Sequence, residues 1–465
     1  MKKTILILLS FYCHTCLLAQ EVTVYGKILN PTENKVYIGY YQDQIAYERI
    51  YADSASLNQD GEFVIKFNWA TAAYANFLHG QEYTPLFLSP GDSLKIELDA
   101  LKMDETVTHS GKGEWVNNYL ASKLITFPGG PPTHYKLSEN LFLKYIDSVY
   151  HSKLAFFTKH FSNIAENDPY TKRFRELEEA EMIYDHFISK MNYPDFYAYF
   201  NGQKEALSVG PNYFDFLKDA QLVNPKAYPA ISYLLFVKYY VDREVYTMHK
   251  KDSSQSMVQL KEQFIDKNMN GDIREYLIAD WAYQLLVRLG DLKNGKAIYE
   301  KYLKISEVKP YKDLLEKAYQ NAERLAIGQP APQFNLTDIN GNMVSLSDFK
   351  GKVVYLDIWA SWCGPCIREI PYAKKLEEEM HGKDIVFLNV SIDENLESWK
   401  KTVVDKGIKG IHLNSKGGNE ALFSKLYNVQ GIPKYYIIDK NGWIANNNPE
   451  RPSGNVKDEL ERLLR

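Results

Sequence analysis

Two cysteines separated by Gly364 and Pro365 are the residues of this 465-residue chain best suited to covalent chemistry. The block Cys363-Gly364-Pro365-Cys366 follows an apolar run from Val353 to Trp359 and opens a stretch, about Cys363 to Met380, with helical periodicity. A cysteine in the first turn of a helix lies beside unpaired amides and the positive end of the helix dipole, which stabilise its thiolate. Lowering a thiol pKa from about 8.5 to about 7 raises its ionised fraction at neutral pH from a few per cent to about half. Cys363 is therefore the expected nucleophile. Cys366, one turn further in, can close a small ring with it, and a more shielded position suits it to be the resolving thiol of a disulfide exchange.

Two carboxylates stand at suggestive spacing. Asp357 lies six residues before Cys363 on the apolar run, where burial would raise its pKa towards the range useful for moving a proton to or from Cys366. The bland reading is a strand-edge carboxylate held by local hydrogen bonds. Glu369 follows Cys366 by three residues, so one helical turn brings it to the same face; its bland reading is favourable charge in the first helical turns. Pro433, in Gln430-Gly431-Ile432-Pro433-Lys434, has no amide to give a ladder and must start a strand or occupy a special turn, where a cis bond is plausible.

Half of a zinc site is the main competing reading of the cysteine pair. It needs two further ligands, and His381 and His412 are isolated in this region, so neither metal nor cofactor is expected. The cysteine count points the same way. Lys2-Lys3, the apolar run Ile5 to Leu9 and a weaker continuation to Ala19 read as a secretory signal, too short for a membrane anchor, with cleavage after Ala19. The residues before Cys13 and Cys16 are not the small ones a lipidation box wants. Export would place the chain in the periplasm or cell envelope and leave Cys363 and Cys366 as its remaining cysteines, a pair suited to chemistry rather than to scaffolding.

The elements around this site must come from a chain of two to four domains. With 45% hydrophobic residues and 55 basic against 59 acidic side chains, disorder and a multi-span membrane protein are excluded. No basic block offers a footprint for nucleic acid. The 35 tyrosines are dispersed and read as packing. Short alternating segments with turn signals, such as FVIKF after Gln59-Asp60-Gly61, indicate a small antiparallel β domain over 20–105. Segments of helical period without a fixed repeat indicate an irregular helical domain over 106–325. Ala326 to Pro332 breaks that pattern, and 326–465 alternates strands and helices, as a sheet covered on both faces does. Here the spacing predicts strands at Val353–Trp359, Ile385–Ile392 and Tyr435–Ile438, a hairpin from Phe334 to Leu346, and helices at 396–406, 420–427 and 456–464.

The C-terminal part resembles the thioredoxin superfamily, and within it the exported TlpA/ResA-like thiol-disulfide oxidoreductases. The residues that carry the resemblance are Gly328 to Phe334, VSLSDFKGKVVYLDIWASWCGPCIREIP, IVFLNVSID and YNVQGIPKYYIIDKNGWI. The resemblance implies an α/β thioredoxin-like fold in which Pro433 is cis and faces the sulfurs, Ile432 offers its backbone to an extended substrate, and Pro371 kinks the active-site helix. Trp362, Gly364 and Pro365 join Ile432 and Pro433 as expected substrate contacts. Asp357 falls on the buried aspartate of thioredoxin and Glu369 on the buried glutamate of the ResA-like branch; this chain carries both, so the relay is not assigned to either. Lys434 replaces the threonine often found after the cis-proline, which bears on partner choice. The Val22 to Leu98 region, with its SPGDSLKIEL segment, resembles a β module that precedes such domains in exported Bacteroidetes proteins.

These readings imply protein dithiols and disulfides as partners and, in an oxidising compartment, a membrane-borne electron donor for a reductase. A peroxiredoxin-like peroxidase is a second reading, weakened because Ala360 stands where such enzymes want Thr or Ser. A binding or assembly protein with a regulatory redox domain is a third. The sequence leaves the oligomeric state open.

Overall fold

The computed structural model describes residues 19–162, 168–418 and 421–465. The expected leader, 1–19, lies outside the described residues except for Ala19, as does residue 420 at the start of one expected helix. Among the described residues no helix is long and apolar enough to cross a membrane. The chain forms two compact units, residues 1–273 and 274–465.

Among the described residues the first unit opens with eight strands in two four-stranded sheets. One runs in the order Glu62–Trp69, Gln20–Leu29, Ser93–Asp99, Thr108–Lys112; the other Arg49–Ser56, Lys35–Tyr41, Ala73–His79, Glu82–Leu88. The period-2 pattern is plain in Glu62–Trp69, where Phe63, Ile65, Phe67 and Trp69 are buried and the residues between them are exposed. Those side chains share one core with Ile38, Phe77 and Leu86 of the second sheet. Most pairings are antiparallel, but Gln20–Leu29 runs parallel to Ser93–Asp99. Gly26 permits that approach, since a Cβ there would lie 1.7 Å from the Ile96 carbonyl oxygen. Helices follow, among them Glu114–Thr126, Glu139–Phe161, Pro169–Phe200 and Ile231–Lys251. Their starts show ordinary capping: Asp168 accepts from the Thr171 amide at 2.7 Å with Pro169 in the first turn.

The second unit is, among the described residues, a seven-stranded sheet with helices. From edge to edge the strands are Met343–Ser345, Asn335–Asp338, Ile411–Asn414, Ile385–Ser391, Val353–Trp359, Lys434–Ile438 and Ile444–Asn446. The central strand Val353–Trp359 is parallel to Ile385–Ser391 and antiparallel to Lys434–Ile438. Its near-continuous apolar sequence follows from cover on both faces. Val354, Leu356 and Ile358 enter one core, which also holds both cysteines; Val353 and Tyr355 enter another with Leu376, Tyr435 and Leu460. The expected elements of 326–465 are present within a residue or two, and the strand Ile411–Asn414 was not expected. Two helices, Leu292–Ile305 and Lys309–Arg324, also belong to this unit. Arg324 Nη1 donates to the Leu426 carbonyl at 2.7 Å and Asn447 Nδ2 to the Leu325 carbonyl at 3.1 Å.

Candidate active site

The central strand ends at Trp359, a turn closes with the Cys363 amide donating to the Ala360 carbonyl at 3.1 Å, and the helix Gly364–Glu379 begins. Cys363 is the residue that caps this helix. Its backbone is extended, and its Sγ accepts from the Cys366 amide at 3.1 Å, with Pro365 in the first turn. A sulfur at this position meets the unpaired amides of the helix start, the arrangement that favours a thiolate. Cys363 and Cys366 are joined in a disulfide, their Cα atoms 5.2 Å apart. In this bridged form the two are almost equally buried, 4% and 5% exposed, so the expected difference in shielding is absent from it. Pro371 lies inside the same helix.

Of the expected substrate contacts, Trp362, Gly364 and Pro365 adjoin the two cysteines in the chain. Trp362 is 66% exposed, and Gly364 and Pro365 are exposed beside it. The Ile432–Pro433 bond is cis, directly before the strand Lys434–Ile438. Ile432 packs against the core cluster that contains both cysteines. Lys434 places its ammonium 3.3 Å from Asn448 Oδ1 and over the Tyr436 ring; burial lowers its pKa to about 8.

Asp357 and Glu369 are brought into one electrostatic cluster. Asp357 stands across from Asn389 and Tyr435 on the neighbouring strands. The residue is half-buried, but its Oδ1 is sealed from solvent and, among the described residues, finds no hydrogen-bond partner. Desolvation, with repulsion from Glu369, raises the Asp357 pKa to about 8. The strand-edge reading, a carboxylate satisfied by local hydrogen bonds, does not describe this oxygen. A cavity of about 20 Å³, room for one water molecule, lies beside it and is lined by Tyr355, Lys374, Glu377, Asn389 and Lys409 among others. Glu369 is 8% exposed and fully engaged: the Ser453 amide donates to its Oε2 at 3.0 Å and the Ser453 hydroxyl to its Oε1 at 3.0 Å. Tyr435 and Tyr355 stack at 5.4 Å over this region, and burial together with the nearby carboxylates raises both phenol pKa values.

Sequence reasoning missed Ser453, whose Pro452-Ser453-Gly454 setting reads as a surface turn. It also missed Asp393, 1% exposed, which accepts from the Ser361 amide at 2.8 Å, the Ser361 hydroxyl at 2.6 Å and the Ser391 hydroxyl at 2.7 Å. Asp393 thereby anchors the turn that delivers Cys363. The buried polar position just past an apolar strand was the available signal. His412 is buried with Nε2 at the Ile408 carbonyl, and among the described residues no cluster of His, Cys, Asp and Glu could hold a metal ion.

Residues 326–464 match the Redoxin family. Over 152 residues the chain is 32% identical to thiol-disulfide oxidoreductase ResA of Bacillus cereus, a match that spans 33% of this chain and 84% of that protein. It is 36% identical over 141 residues to ResA of Geobacillus kaustophilus, covering 30% of this chain and 77% of the relative. It is 38% identical over 120 residues to the thioredoxin-like protein YneN of Bacillus subtilis, covering 25% and 68%. The solved thioredoxin domain of a thiol-disulfide oxidoreductase from Bacteroides vulgatus is 29% identical, with 30% of this chain and 99% of that one covered and a TM-score of 0.28. Through its C-terminal domain, with Cys363 and Cys366 at the start of a helix, the chain belongs to the ResA-like thiol-disulfide oxidoreductases of the thioredoxin superfamily.

Proposed function

We propose that the chain is an exported, extracytoplasmic enzyme that reduces protein disulfides with the Cys363–Cys366 dithiol. The observation that carries this reading is the cap position of Cys363, whose sulfur accepts from the Cys366 amide at a helix start and is within bonding reach of Cys366. In the reductive direction the Cys363 thiolate attacks one sulfur of a substrate disulfide. That bond breaks, the leaving thiolate takes a proton, and a mixed disulfide remains on Cys363. Cys366 then gives its proton to the Asp357 carboxylate and attacks Cys363 Sγ; the second substrate sulfur leaves as a thiolate. The substrate has gained two electrons, and the enzyme holds the disulfide.

Asp357 suits the proton transfer because its pKa of about 8 lies close to the ordinary thiol value near 8.5, where a proton passes at little cost in either direction. Burial keeps it there, helped by the charge of Glu369, one turn beyond Cys366. Trp362 and the backbone at the cis Ile432–Pro433 bond form the surface for an extended protein segment. Return to the dithiol needs two electrons from an outside dithiol donor, membrane-borne if the compartment is oxidising. The buried Ala360 gives no hydroxyl for a peroxidase, and the Ser361 hydroxyl is committed to Asp393.

The test is trapping. With Cys366→Ser the mixed disulfide cannot be resolved, so Cys363 should retain proteins covalently when the variant is expressed in its native host and analysed without reductant. Absence of any protein adduct that is released by dithiothreitol would refute the reading.

A further inference from the structure

Ser453 is an exposed residue whose two donors both turn inward to one buried carboxylate. Its loop is held rather than loose. Pro452 is buried, the Gly454 amide donates to the Arg451 carbonyl at 2.9 Å, the Asn455 amide meets the Glu450 carboxylate, and Tyr355 Oη donates to the Glu450 carbonyl at 3.2 Å. The hydroxyl and amide take one Glu369 oxygen each, a pairing that fixes the plane of the carboxyl group.

We propose that Ser453 is a positioning residue for the resolving half-reaction: with its amide and hydroxyl it clamps the Glu369 carboxyl group one turn beyond Cys366, offsets part of its charge, and so tunes the passage of the Cys366 proton to Asp357. The inference rests on the dithiol mechanism above. Glu369 acts on Asp357 and Tyr355 of the central strand and on Tyr435 of its antiparallel neighbour, while Arg451 of the loop faces Tyr435 and Glu459 of the last helix faces Tyr355. Lys374 and Glu377 of its own helix, and Lys409 opposite, border the cavity beside Asp357. None of these donates to Glu369 as Ser453 does. Loss of the hydroxyl removes a partial positive charge from Glu369 Oε1. The amide still holds Oε2, and the Glu369 charge, less offset, repels the Asp357 carboxylate more strongly, so Asp357 keeps its proton to higher pH.

The experiment uses the full chain, reduced and then mixed with excess of a peptide disulfide whose two thiols are distinguishable. Release of the first thiol reports attack by Cys363; release of the second reports resolution by Cys366. With Ser453→Ala the pH profile of the second release should move up by about half a unit, a slowing of about threefold at pH 7. The first release should not change, and Ser453→Thr, which keeps the hydroxyl, should restore the profile. An unmoved second profile in Ser453→Ala, equal slowing of both releases, or failure of Ser453→Thr to restore the profile would overturn the assignment. A wild-type chain that released no second thiol would instead overturn the dithiol mechanism itself, and this inference with it.

Discussion

Each compact unit carries a carboxylate with an oxygen sealed from water, and the surroundings of the two differ in kind. In the first unit Glu178, 1% exposed, accepts from the Tyr119 hydroxyl at 2.9 Å and the Tyr74 hydroxyl at 3.3 Å, and pairs with Lys123. In the second unit Asp357 Oδ1 has no hydrogen-bond partner among the described residues, and the charge that acts on its titration is another carboxylate. A buried charge that is paired and hydrogen-bonded holds elements together. A buried carboxyl left without donors is costly as an ion, and a fold retains it where the neutral acid, or the passage between acid and ion, is of use. The contrast separates a polar group that belongs to the architecture from one that the proposed mechanism puts to use.

Asp357→Asn puts that contrast under the greatest strain. The folded pKa is raised, so the native state binds the proton between about pH 4 and about pH 8 while the unfolded chain does not, and stability falls as pH rises through that window. The asparagine variant loses this penalty and should be more stable than the parent at pH 8 by on the order of 3 kcal/mol, with little difference at pH 4. Its second thiol release at pH 7 should slow by about 10²-fold. Denaturant melts at the two pH values, with stopped-flow thiol release, measure both. A variant that is less stable at pH 8, or resolves at the parental rate, would place Asp357 in the same class as Glu178.

Glu178→Gln should do the reverse. It leaves Lys123 without its charge partner and both tyrosines with a weaker acceptor, for a loss of about 2–3 kcal/mol, and neither thiol release should change. Asp393 tests the boundary between the classes, since it is fully hydrogen-bonded like Glu178 but holds the turn before Cys363. Asp393→Asn turns an acceptor into a donor among donors. The expected cost is about 2 kcal/mol, with a first release about tenfold slower and its pH profile kept. A loss of stability without slower attack would make Asp393 purely architectural.

What could be read from the sequence was what neighbouring residues decide. The apolar run Val353–Trp359 and the Cys363 cap with Pro365 behind it are local signals, and the strand and helix stand where those signals put them. Val456–Leu464 was legible because its apolar residues share one helical stripe. Ser453 was not, because its hydroxyl bonds Glu369 across 84 residues and nothing near either marks the other. The same holds for Ser361 and Asp393, 32 residues apart, and for the parallel register of Thr23–Leu29 with Ser93–Asp99. The helices Leu292–Ile305 and Lys309–Arg324 have the same periodicity as those of the first unit. Side-chain bonds to backbone carbonyls, such as Asn447 to Leu325, tie them to the second, and periodicity carries no record of those bonds.

Lys434 gives the smallest of the expected effects and refines the comparison with a cation. It follows the cis Ile432–Pro433 bond, is half-buried, and has Asn448 Oδ1 at 3.3 Å with the Tyr436 ring beneath it. Burial lowers its pKa to about 8, so between about pH 8 and the ordinary lysine value near 10.4 the unfolded chain binds the proton that the native state has lost, and stability rises with pH there. Lys434→Thr should flatten that rise. Below pH 8 the ammonium stands beside the surface proposed for substrate and favours acidic segments by charge complementarity. At pH 7 Lys434→Thr should lower the ratio of first-release rates for acidic over basic disulfide peptides by about threefold, and above about pH 9 parent and variant should give the same ratio. A ratio unchanged at pH 7 would leave Lys434 a packing residue whose charge the substrate does not sense.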